Sequence, residues 1–117
     1  MADYNPLYRP GKDLPLSASA AVTGGQLVEI TGDRSVGPAG AASTKVIGVA
    51  LFDANAGDVV TVENNGVQLP VASGAIAAGD TVQAAANGLV ATGTTAPVGI
   101  AIAAAADGAV VPVHLYH

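Results

Sequence analysis

The residues equipped for chemistry in this chain are few and far apart. Two histidines close it as His114-Leu115-Tyr116-His117, and Asp33, Asp58, Asp80 and Asp107 each stand beside a glycine. A histidine pair could hold a metal, and paired carboxylates could serve as general acid and base. The spacing argues against both. On a strand, residues three apart point to opposite faces, so His114 and His117 do not converge on an ion. An aspartate beside a glycine is a turn residue whose carboxylate bonds nearby backbone amides. Glu29 and Glu63 fall on β-prone runs and mark solvent faces. Serine, histidine and aspartate all occur, but no nucleophile elbow, phosphate loop, dinucleotide fingerprint or H-E-x-x-H is present. The expectation is a non-enzyme with no catalytic residue, no metal site and no cofactor.

Charge and composition narrow the partners. Across 117 residues the net charge is −5, and the fixed cations are Arg9, Lys12, Arg34 and Lys45. Four scattered cations cannot track a phosphate backbone, which excludes a nucleic-acid partner. No cysteine is present, so disulfides and thiolate metal sites are absent. Gly, Asp, Asn or Thr interrupts every apolar run before bilayer length, and no secretion signal opens the chain. A soluble protein without a membrane partner is expected. With one Phe and three Tyr, the core must be Val, Ile, Leu and Ala, which suits thin β layers better than a ring-lined pocket.

The elements that would position these residues are short strands. Candidates lie at 26–31, 45–51, 59–63, 67–72, 81–84, 89–91, 98–102 and 110–116, bounded by Gly-Asp, Asp-Gly and Asn-Gly pairs. The sharpest hairpin signal is Asn65-Gly66, read as a tight primed turn between two β runs. Alanine-rich stretches have helix propensity, but glycine recurs too often for a long helix. At most a helical turn is expected, near 53–56 or 103–106.

One phrase occurs twice. KVIGVALFDANAGDVVTV at 45–62 returns as APVGIAIAAAADGAVVPV at 96–113, with Gly48 against Gly99 at an offset of 51. Upstream, GGQLVEI at 24–30 echoes AGDTVQA at 78–84 at an offset of 54. Two copies are too few for a solenoid. They read as two halves of one closed barrel or small sandwich, each covering the other's apolar face. The fold class expected is all-β.

Residues 1–16 differ in texture from the single β domain expected over 17–117. Pro6, Pro10 and Pro15 fix φ and remove backbone donors, predicting an extended arm that is poor at making a central strand. Tyr4, Leu7 and Tyr8 give the arm apolar side chains in need of cover. It is a disordered terminus, a strap over the protein's own barrel, or an arm that docks on a partner and orders as it binds.

The arm NPLYRPG, the phrase ASAAVTGGQLVEITGD, the run GPAGAASTKVIGVALFDANAGDVVTVENNGV and the Ala/Gly-rich second half together resemble small β-rich capsid decoration (cement) proteins of tailed phages. The resemblance implies a homotrimer on the outer capsid surface of a virion, made in the host cytoplasm. Its partner would be the major capsid protein, whose subunits it bridges to stabilise the head. It also implies that the arm, through Tyr4, Pro6, Leu7, Tyr8 and Arg9, binds the capsid. Two other readings share the β texture. One is a different virion part, a head-fibre base or tail component. The other is a carrier or enzyme domain with a cryptic site, although Lys45 lacks the Met or Asp flank of a carrier lysine.

Overall fold

Each copy of the repeated phrase builds its own sheet. The computed structural model describes residues 13–116. The first sheet contains β1 (Leu14–Ala18), β2 (Leu27–Gly32), β3 (Ser35–Pro38), β4 (Val46–Ala50) and β5 (Val59–Glu63). Its order is β1-β3-β2-β4-β5, and the antiparallel pairing of β5 with β1 closes it into a barrel. The second contains β6 (Gly66–Gln68), β7 (Thr81–Ala84), β8 (Val90–Thr92), β9 (Pro97–Ala101) and β10 (Val113–Leu115). Its order is β6-β10-β9-β7-β8. Read backwards, with β6 to β10 standing for β1 to β5, that is the order of the first barrel opened between β1 and β3. The all-β expectation holds.

The duplication extends to single hydrogen bonds. Gly25 N–H donates to Ala50 O at 2.8 Å, and its counterpart Gly79 donates to Ala101 O at 2.7 Å. Val22 pairs with Ala54 as Ile76 pairs with Ala105. The register shifts after Val28 where β2 meets β4, and after Val82 where β7 meets β9. Closure differs. The parallel contact of β1 with β3 is reduced in the second half to the single pair Ala72–Val90.

The interior differs from the expected halves of one barrel. One core, including Leu16, Val28, Val36, Val60 and Val62, comes wholly from the first half. The other comes from the second half, joined by Leu27, Ala39, Val46 and Val49. Five strands with a bulge curl far enough in the first half to cover their own apolar face, whereas the second half, left as a five-stranded sheet, takes part of its cover from the first. Contact between the halves uses the opposite face of the first sheet, where strand alternation places Leu27 next to inward-facing Val28.

Asn65-Gly66 does not make a hairpin. Both edges of β5 are taken, by β1 and β4, so β6 crosses over and pairs with β10 instead. Gly66 has φ +80° but Asn65 has no positive φ, which a type I′ turn would require. The segments near 53–56 and 103–106 are not helical, because Ala54 and Ala105 are held in bridging pairs. Among the described residues the one helical turn is a 3₁₀ turn at Ala86–Gly88.

Two strands lie outside those expected. β3 is short and holds Gly37 and Pro38, which hide its pattern. β1 takes up Leu14, Pro15 and Leu16, residues assigned above to the arm. Pro15 is tolerated there for a geometric reason. Ser17 N–H points at Arg34 O of the β3 side, so Pro15, two residues earlier, turns its donorless nitrogen to the same side, before β3 begins.

Candidate functional site

Three of the four turn aspartates bond backbone amides. Asp58 accepts from Asn55 N at 3.3 Å, Asp80 from Ala77 N at 2.9 Å, and Asp107 from Gly74 N at 2.7 Å. Asp53 accepts from Gly24 N at 2.8 Å in the same manner. Asp33 uses its carbonyl instead, accepting from the Ser35 hydroxyl at 3.3 Å. His114 is exposed on β10, while His117 lies outside the described residues. Among the described residues no three His, Asp or Glu side chains gather as metal ligands. Lys45 leads into β4 and occupies no hairpin tip.

The two glutamates do more than face solvent. Glu63 accepts from the Gln68 side chain, which also donates to Asn65 O at 3.0 Å, and so braces the crossover between sheets. Glu29 accepts from Gly40 N at 3.0 Å. That amide, then the Ser43 hydroxyl, and last the charge of Lys45 hold its pKa below the ordinary glutamate value, against a smaller opposing effect of burial. Glu29 thereby anchors the loop between β3 and β4, which touches the second half through Ala42 N to Ala84 O at 2.8 Å. Because the folded pKa is depressed, this stabilisation is present above the unfolded value of 4.5 and fades as pH falls through the folded one. Glu29→Gln is expected to cost about 1 kcal/mol at pH 7 in this largely open site. Urea melts run from pH 7 down to pH 3 should show the gap between mutant and wild type closing with acid.

With three of the four turn aspartates and both glutamates occupied in structure, the distinctive surface among the described residues is apolar. In the first half Leu51 and Val59 stand exposed on one outer face, with Phe52 exposed beside them. At the matching positions of the second half, Ile102 and Val110 are exposed too. One patch is thus present twice per chain, and the aligned repeat already carries it as apolar residues at outward positions. A further exposed row, Ile100, His114 and Val67, crosses β9, β10 and β6 side by side.

Tyr4, Pro6, Leu7, Tyr8 and Arg9, the arm residues singled out above, lie outside the described residues. The described chain enters the first barrel at β1.

A family model described as phage cement protein matches residues 8–115. Among solved structures, the crystal structure of the head fiber gp8.5 N base of bacteriophage phi29 is similar, with a TM-score of 0.75 at 20% identity over 90% of this chain and 93% of that one. At that identity the likeness is one of fold. No curated protein matches the chain.

Proposed function

The chain belongs to the phage cement protein family, and from that premise we propose that it binds the outer surface of a phage head and bridges major capsid protein subunits as a homotrimer. The family makes it a structural phage head protein. The observation that best supports a bridging role is the exposed patch written twice, Leu51–Val59 and Ile102–Val110. Two equal patches on one chain suit a partner that is itself repeated, and simultaneous contacts raise avidity without any strong single contact. Water-exposed apolar pairs of this kind gain from being covered.

The arm is the second docking element in this reading. Residues poor at helix formation add readily as a strand to an exposed sheet edge, with Pro6 holding the backbone extended. Tyr4, Leu7 and Tyr8 would fill pockets, and Arg9 would pair with a capsid carboxylate. The protein works without catalysis, on the virion exterior, after synthesis in the host cytoplasm.

The base of a head fibre is the alternative, favoured by the fold shared with the phi29 head fiber N base. One experiment serves both readings. Purified protein is mixed with expanded, undecorated heads of its own phage, pelleted, and imaged by cryo-EM. Low external caps at three-fold or quasi-three-fold positions are expected for a cement protein. Density that roots a protruding spike supports the fibre base instead. Bare heads with all protein in the supernatant would overturn both.

A further inference from the structure

Inside the chain the two halves meet in a defined way. Leu27 on β2 and Val49 on β4 are fully buried, yet they lie outside the first barrel's core. They cluster instead with Val82, Ala84, Val98 and Leu115 of the second half. Hydrogen bonds stitch this junction: Gly88 N donates to Ala39 O at 2.9 Å, and the Gln26 side-chain Nε2 donates to Asn87 O at 2.9 Å. A side chain at Gly88 would put its Cβ 2.7 Å from Leu27 O, so the two backbones touch.

Each partner in that junction has a counterpart at an outer end of the chain. Leu27 corresponds to Thr81, Val49 to Ile100 and Glu63 to His114, and this second row is uncovered. Val49 is 2% exposed while Ile100 is 40% exposed, with Val67 beside it at 53%. On the receiving side Ala84 corresponds to Ile30, Val98 to Ile47 and Gln68 to Leu14. Ala84 is 1% exposed while Ile30 is 37% exposed. Leu14 and Ile47 are half-buried and pack against the first core from its rim. Among the described residues the chain thus presents an uncovered row at one side and an uncovered rim at the other, each the repeat of a surface that the junction covers.

We propose that copies of this chain join head to tail, the Ile100–Val67 row of one copy seating on the Ile30, Leu14 and Ile47 rim of the next. The occupant of the free face is a second copy, because the chain already contains that interface once and the duplication offers both of its sides again. Such a contact is heterologous, so it closes into a ring when the rotation permits and runs on as a filament when it does not. Closure after three copies sets six like β units around one axis and repeats the duplicated Leu51 and Ile102 patches six times. This deepens the trimer reading and rests on self-association, not on capsid binding.

The test uses the full chain without capsids, with mass followed by sedimentation equilibrium. Ile100→Asp spoils the row and Ile30→Asp spoils the rim; both sites are exposed, and circular dichroism checks that the variants fold. Thr81→Asp, at the counterpart of buried Leu27 and paired with Ile100, is the second row variant should Ile100→Asp misfold. Wild type is expected as a closed oligomer and each variant as a monomer. Mixed in equal amounts, the two variants should form a dimer containing one of each, since that pair retains one intact junction. A monomeric wild type overturns self-association altogether. A wild-type oligomer that survives both substitutions overturns this interface and leaves the trimer reading standing. Loss of assembly with Ile100→Asp alone also overturns it, in favour of a symmetric contact or another occupant of the row.

Discussion

Replacing Gly99 by alanine is expected to cost about 3 kcal/mol, because overpacking that meets backbone on the far side has no flexible group to yield. A Cβ built at Gly99 falls 2.3 Å from His114 O and 2.9 Å from the Val113 side chain. At the counterpart Gly48 it falls 2.3 Å from Glu63 O. In both halves the strand after the glycine crosses directly over it. Room for a methyl could come only from prising β9 from β10, or β4 from β5, and so from opening a core. For a domain of this size the loss lowers the melting temperature by about 12 °C. Gly48→Ala should match Gly99→Ala, since the contact is duplicated. Gly32→Ala is the control: its nearest neighbour is Ser35 Cβ at 3.8 Å, so the melt should barely move. Thermal melts followed by circular dichroism decide it. A shift of a few degrees at both glycines would mean that the sheets part easily at these crossings.

Deleting residues 2–12 is expected to leave the melt near wild type and to weaken capsid binding by about 100-fold or more, as an arm lost from every subunit is lost in multiplied form. Deleting residues 2–16 should behave differently and unfold the protein. That cut removes Leu14, Pro15 and Leu16, which pair with Val62, Thr61 and Val60 to close the first barrel, and Leu16 belongs to the core. Pelleting with undecorated heads, paired with a thermal melt of each variant, separates docking from folding. Wild-type binding by the shorter deletion would remove the arm as the docking element and leave contact to the exposed patches.

Much of this was legible in the sequence. The all-β class, the paired phrases and the turn aspartates were readable because each rests on local chemistry: alternation of valine, glycine punctuation, and carboxylates beside glycine. The strand at 59–63 and the one at 81–84 were placed without error, since Val60, Val62, Val82 and Ala84 alternate inward. The low count of cations was equally plain.

Partner choice was not legible, because it depends on which edges and faces are already occupied. Asn65-Gly66 has hairpin residues, yet β5 had no free edge to offer, and no local signal carries that fact. Pro15 argued against a strand, but its nitrogen faces a side where no neighbour asks for a donor. Leu27 and Val28 look alike as neighbours in the chain, yet one fills the first barrel's exterior junction and the other its core. The sequence by itself determined that two similar β units would form; only the tertiary structure decided that the first closes into a barrel while the second stays a five-stranded sheet, and which face of the first is spent on the second. Local chemistry acts over a few residues, whereas edge and face occupancy is settled only when the whole chain is packed.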